Sequence, residues 1–156
     1  MVMAERAVLL VEDDPDDVEL VRRVFSQLHF AHPLQVVRDG REAMDYLAGS
    51  GAYEDRDRYP LPLLVLLDLK LPKATGHEVL KWLRAQDGLR RLPVVMFTSS
   101  DERADINAAY DLGINSYLRK PVSFDALAQL LTKIDLYWLL LNEPPDLLIE
   151  SGDGSR

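Results

Sequence analysis

The sequence contains no cysteine. That excludes a disulfide framework and a thiolate zinc site, and it accords with an expected cytoplasmic location. Histidine is scarce. His29, His32 and His77 share no metal-ligand spacing, so each is expected on the surface or in a loop. No apolar run is long enough to cross a membrane. Ala7–Val11 is far too short and is flanked by Glu5 and Glu12. No signal-peptide pattern of basic start, long apolar centre and small-residue cleavage site is present, and no membrane partner is expected. Positive charge is in deficit. Lys and Arg total 18 against 26 Asp and Glu, for a net charge of −8, which argues against a nucleic-acid backbone as a partner. P-loop, G-x-G-x-x-G and G-x-S-x-G patterns are all missing, which speaks against nucleotide binding and esterase chemistry. There is no internal repeat.

A chain of 156 residues can bury one sizeable core. The stretch Leu63-Leu64-Val65-Leu66-Leu67 is a strand apolar on every side, as in a parallel sheet covered on both faces. Asp68 appears where the run gives out, and Pro72 lies just beyond. Buried within the sheet this charge would cost several kcal/mol. At the carboxyl end it reaches solvent, on the edge where open α/β sheets place their chemistry. On its own, Asp68 could equally start a turn.

Ala7–Val11 is a second buried strand and ends in Glu12-Asp13-Asp14-Pro15-Asp16-Asp17. Val18, Val21, Phe25 and Leu28, with Leu20 and Val24, then recur at helical spacing. Asp14 reads as N-cap and Pro15 as first helical residue, while Asp16 and Asp17 suit the positive end of the helix dipole. Capping does not account for Glu12 and Asp13, adjacent carboxylates that repel unless a cation joins them. Leu34–Val37 is a third strand. Asp39 and Glu42 form a capping box for a helix with Ala43, Met44 and Leu47, ended by Gly49. Residues 49–62 read as a long loop. After Asp68, Thr75 and Glu78 make another box before Val79, Leu80 and Leu83. Pro93–Phe97 is a strand ending in Thr98. The helix after it has a Ser99–Glu102 box, Ile106, Ala109 and Tyr110 facing inward, and Gly113 as its stop. Ser116–Arg119 is the fifth strand, closed by Lys120-Pro121. Ser123 caps a last helix with Leu127, Leu130, Leu131 and Ile134 on one face. Strict alternation of strand and helix predicts an α/β fold: one parallel five-stranded sheet, doubly wound as (βα)5.

Glu12-Asp13, Asp68, Thr98 and Lys120 then share one edge. Three carboxylates there make a hard oxygen site suited to Mg2+. Lys120 can pair with a phosphoryl oxygen and Thr98 can donate to another. An Asp is a competent nucleophile for phosphoryl transfer.

This ordered set resembles the receiver domain of two-component response regulators, over about residues 6–135. The resemblance implies sheet order 2-1-3-4-5 and Asp68 as the phospho-acceptor. It implies Mg2+ held by Asp13 directly, by Glu12 largely through water, by Asp68, and by the Lys70 backbone carbonyl. Thr98 becomes the switch hydroxyl and Lys120 the phosphoryl-binding cation. Tyr117 matches the aromatic that turns inward on activation, although a half-buried strand Tyr also explains it. Lys120-Pro121 resembles the family's cis peptide. In two places the sequence departs from the pattern. Glu12 stands where Asp is common, and Lys70 stands where Asn is frequent. The second position tunes phosphoryl lifetime, unless Lys70 is simply a solvated loop charge.

Leu136-Tyr137-Trp138-Leu139-Leu140-Leu141 is apolar right around a helix. That ending, with the Glu12-Asp13-Asp14-Pro15-Asp16-Asp17 stretch, resembles single-domain regulators that partner bacterial phytochrome histidine kinases. The expected organisation is a receiver domain over 6–141 with an extended last helix, and a loose tail over 142–156. The expected function is a signalling phosphoprotein. It takes a phosphoryl group from a sensor histidine kinase and catalyses only its own phosphorylation and dephosphorylation. Tyr137, Trp138, Leu140 and Leu141 are expected to form a homodimer contact. Two alternatives stand beside this. One is a Mg2+-dependent phosphohydrolase of the haloacid-dehalogenase kind, which carries a second Asp where Lys70 stands. The other is an interaction module independent of phosphate.

Overall fold

The structure, a computed structural model, describes residues 6–147. Five strands form one parallel sheet: β1 (Ala7–Val11), β2 (Leu34–Val37), β3 (Pro62–Leu67), β4 (Val94–Thr98) and β5 (Ser116–Arg119). Their order is β2-β1-β3-β4-β5. The helices between and after them are α1 (Pro15–Gln27), α2 (Gly40–Ala48), α3 (Gly76–Ala85), α4 (Arg103–Asp111) and α5 (Phe124–Ile134). This is the expected doubly wound arrangement.

The period-two pleat divides the strand side chains between two cores. Leu9, Val11, Val65, Leu67, Val94 and Met96 face one side, with Ala43 and Leu47 of α2 and Leu80 and Leu83 of α3. Val8, Leu10, Leu64, Leu66, Val95 and Phe97 face the other, with Val18, Val21 and Val24 of α1 and Leu127, Leu131 and Ile134 of α5. Both faces are covered, which is why β3 reads as an unbroken apolar run. The strands are in register at their carboxyl ends, where Val11 pairs with both Val37 and Leu67. The first polar residue after each central strand therefore emerges on one edge.

Most helix signals act as expected. Asp14 caps α1, with its side chain accepting from the Asp16 amide. Thr75 and Glu78 close a complete capping box at α3, and Gly49 ends α2 in the left-handed region at φ 69°. The Asp39–Glu42 box is half formed. Asp39 accepts from the Glu42 amide, but Glu42 accepts from the Arg38 amide, one residue early.

Other expectations are corrected. No Ser99–Glu102 box forms, because α4 starts at Arg103 with Glu102 as an uncapped N-cap. Ser100 bonds instead to Asp105, 2.6 Å away. Tyr110 and Leu28 are exposed, not inward: Tyr110 directly follows buried Ala109 and falls on the outer side of the last turn of α4, and Leu28 lies just past the end of α1. His77 lies on α3, half-buried, 3.1 Å from the Asp105 carbonyl, not in a loop. Lys120-Pro121 is trans, as are all the described peptide bonds; trans is the ordinary preference of an X–Pro bond. The segment 49–62 is a packed loop with a short 3-10 turn, Gly51–Tyr53. Arg56 donates to the carbonyls of Tyr46, Leu47 and Tyr59, and these satisfied polar groups hold the loop against α2.

The last helix continues past Ile134 as a π-helical stretch, Asp135–Leu141, and the Asn142 amide donates to the Tyr137 carbonyl at 2.7 Å. Leu139 is buried on the α1/α5 side, and Trp138 packs partly against it. Trp138 is thus not wholly part of the exposed patch. Leu136, Tyr137, Leu140 and Leu141 are exposed at 51%, 54%, 63% and 64%. The expected loose tail is placed as far as Leu147, which packs against the α2/α3 core. Arg91 donates to the Asp146 carbonyl at 3.2 Å. The remainder of that tail lies outside the described residues.

Candidate functional site

Each site residue is placed by a strand that has just ended. The backbone ladder runs one step past the strands, with the Glu12 amide donating to Val37 and the Asp68 amide to Val11. These bonds fix the Cα positions of both acids. The Lys120 amide donates to the Thr98 carbonyl at 2.7 Å, which ties the fifth strand's end to the fourth. Behind Asp68 the fit is close. Gly76 opens α3 and its amide donates to the Leu69 carbonyl at 2.8 Å. A Cβ there would lie 2.3 Å from the Asp68 carbonyl oxygen, so only glycine allows α3 this approach.

Glu12, Asp13 and Asp68 each offer a carboxylate oxygen, all within 4.8 Å of one another. Glu12 and Asp68 are buried while Asp13 is exposed. Asp68 Oδ1 accepts from the Leu69 amide at 2.7 Å, and Oδ2 accepts from Lys120 Nζ at 3.1 Å. Glu12 Oε2 accepts from the Asp14 amide at 3.1 Å, and its other oxygen forms an ion pair with Lys120. Burial pushes the Glu12 carboxyl up to about 7; Lys120 opposes this and the Asp68 charge adds to it. For the Lys120 ammonium, burial alone would lower the pKa. Its bonds to Glu12 and Asp17 and the charge of Asp68 outweigh this and hold it above the ordinary lysine value.

Thr98 is buried at the end of β4, with Oγ1 3.5 Å from the Ser100 amide. Tyr117 is half-buried and its hydroxyl donates to the Ser100 carbonyl at 3.0 Å. Burial, chiefly, raises its pKa. Lys70 is exposed, two residues past Asp68. The fold thus brings Glu12, Asp13, Asp68 and Lys120 into one cluster, with Thr98 and Tyr117 on neighbouring strands.

Two residues escaped the sequence reading. Asp17 Oδ2 accepts from Lys120 Nζ at 2.9 Å, whereas the sequence accounts for Asp17 by helix capping and the dipole alone. A signal was present, since Asp17 precedes Val21 and Val24 on the inward stripe of α1. Ser100 links Tyr117 to Asp105, and nothing in its local sequence marks it.

The donor set is all carboxylate oxygen, two of the three groups are buried, and one is pushed toward neutrality by burial. These residues fit a small hard divalent cation.

A doubly wound parallel sheet thus carries acids, a hydroxyl and a lysine at its carboxyl edge, groups able to hold a cation and to pair with anionic oxygens. Comparison with known proteins agrees. Residues 8–132 match the response regulator receiver domain, and the chain belongs to that family. It is 40% identical to response regulator Rcp1 of Synechocystis sp., over 86% of this chain and 89% of that one. It is 43% identical to the probable methanogenesis regulatory protein FilR2 of Methanothrix harundinacea, over 88% and 86%. Among solved structures, the Mn(2+)-bound form of Rcp1 superposes with a TM-score of 0.80 at 38% identity, covering 90% of this chain and 99% of that one. The phosphorylated cyanobacterial phytochrome response regulator RcpA gives 0.84 at 36% identity, covering 92% and 100%.

Proposed function

We propose that this receiver domain accepts a phosphoryl group on Asp68 from a phospho-histidine of a sensor histidine kinase. The observation that carries this is the convergence of Glu12, Asp13 and Lys120 on Asp68. An Asp68 oxygen attacks phosphorus, the P–N bond to histidine breaks, and the imidazole leaves with the electron pair. Lys120 pairs with an equatorial phosphoryl oxygen, and the Thr98 hydroxyl donates to another. Asp13, Asp68 and the Lys70 carbonyl, with Glu12 largely through water, would hold a Mg2+ ion, which would supply positive charge to offset crowding of the oxygens. Thr98 and Tyr117 transmit the change, with the Tyr117 hydroxyl anchored on Ser100. The chain catalyses only its own phosphorylation and dephosphorylation. A phosphohydrolase of the haloacid-dehalogenase kind is disfavoured, since exposed Lys70 occupies the position of its second Asp.

The likeness to the phytochrome response regulator RcpA supports a bacterial phytochrome kinase as the partner, and with it a location in the cytoplasm. No helix among the described residues is long and apolar enough to cross a membrane. The exposed Leu136, Tyr137, Leu140 and Leu141 support a homodimer through the last helix, which would cover this patch with a second copy. Incubation with acetyl phosphate and Mg2+, read by intact mass, tests the reading. One acid-labile phosphoryl group is expected on the wild type and none on Asp68→Asn. Equal labelling of the two defeats the assignment.

A further inference from the structure

The Lys120 ammonium has three N–H donors and meets three carboxylates: Glu12, Asp17 at 2.9 Å and Asp68 at 3.1 Å. Two of the three are shared. Glu12 and Asp68 also belong, with Asp13, to the set of converging oxygens. A divalent cation at that set takes carboxylate oxygens as its ligands and competes with the ammonium for them. Asp17 stands outside the set. It projects from the first turn of α1 and its side chain is one-third exposed, at 33%. Beside it, a cavity of about 20 Å³ is lined by Val21, Phe97, Lys120, Pro121 and Leu127. That is room for about one water, not for a second route of the lysine stem. Asp17 is therefore the partner that the ammonium can keep when the cation arrives.

We propose that Asp17 is a positioning residue, holding the Lys120 ammonium beside Asp68 while a divalent cation takes over Glu12 and Asp68. This rests on the reading of Asp68 as acceptor with a bound cation. Without Asp17, the ammonium depends wholly on Glu12 and Asp68. It then contests the cation's ligands, since the small cavity leaves its stem no other course. That contest weakens cation binding and slows phosphoryl uptake. Helix-dipole stabilisation, the ordinary role of an acid in a first turn, predicts neither effect.

Asp16 provides the control. It lies in the same turn, is exposed, and has no side-chain bond to Lys120. Asp16→Asn removes the same charge from the same helix end. Mg2+ affinity is measured by titration calorimetry on the unphosphorylated chain, and the labelling rate with acetyl phosphate by intact mass. Asp17→Asn is expected to weaken Mg2+ binding and slow labelling by about tenfold each, the scale of a charged hydrogen bond. Asp16→Asn is expected to change each by less than about twofold. In a Lys120→Ala background, Asp17→Asn should change Mg2+ affinity by less than about twofold, because no ammonium is left to hold. The cycle also subtracts the direct effect of the lost charge on the cation. Asp17→Glu, which keeps a carboxylate, should recover part of the loss. The same loss of Mg2+ affinity with and without Lys120, or Asp17→Asn behaving as Asp16→Asn, overturns the proposal alone. A wild type that takes up no phosphoryl group with Mg2+ overturns the acceptor reading and this inference together.

Discussion

With Glu12 as a cation ligand, proton and cation would compete for its carboxylate to an extent set by its pKa. The side chain is 1% exposed, and its pKa is pushed from an ordinary 4.5 up to about 7, by burial first. A divalent cation needs the ionised form, so binding must displace a proton from the fraction of molecules that carry one. For one group titrating near 7, roughly nine-tenths are ionised at pH 8 and about one-tenth at pH 6. Mg2+ affinity should therefore fall about tenfold between pH 8 and pH 6. Near pH 7, about half a proton should be released per ion bound. Titration calorimetry at constant ionic strength, in two buffers of different ionisation enthalpy, reads both quantities. Glu12→Gln should bind more weakly and lose the pH dependence. The same carboxyl affects stability. Between 4.5 and about 7 the folded chain keeps a proton that the unfolded chain has released. Stability without metal should thus be greater below this window and fall as pH rises through it, by up to about 1.4 kcal/mol per unit. Saturating Mg2+ should offset that fall. Equal affinity at pH 6 and pH 8 with no proton release would refute the reasoning. Lys120 would then already hold Glu12 ionised.

Three further outcomes are expected. Lys120→Ala, titrated at pH 8 and above, should bind Mg2+ as well as wild type or slightly better, since a nearby positive charge is gone; its labelling with acetyl phosphate should still give a weakened active state, and loss of metal binding with the fold intact would assign Lys120 another role. Gly76→Ala should lower stability by about 1–3 kcal/mol in chemical denaturation and slow labelling, because its Cβ would press on the Asp68 carbonyl from 2.3 Å; unchanged stability would mean that α3 can shift freely. Tyr137→Ala with Leu140→Ala should convert a dimer into a folded monomer by light scattering, whereas Trp138→Ala, which opens a contact with the domain's own core, should also cost stability; a wild type that is monomeric at high micromolar concentration would assign the patch to the kinase instead.

Local signals settled much of this protein. Apolar runs of five or six residues ending in a charge specify buried parallel strands and where they stop. Capping residues such as Asp14 and Thr75 specify where helices begin, because both acts involve only neighbours in the chain. The ordering of Glu12-Asp13, Asp68, Thr98 and Lys120 at successive strand ends follows from that alternation alone. What needed tertiary structure was every contact between residues distant in sequence. Asp17 and Lys120 are 103 positions apart, and no local pattern encodes that an acid in a first helical turn will share a lysine with two strand-end acids. The rise of the Glu12 carboxyl depends on burial by the surrounding elements, which its own flanks, Val11 and Asp13, do not reveal. Trp138 and Leu139 turn toward the domain while Tyr137 and Leu140 turn away. Periodicity could not separate them, because the segment is apolar on all sides and its π-helical winding breaks the 3.6-residue count.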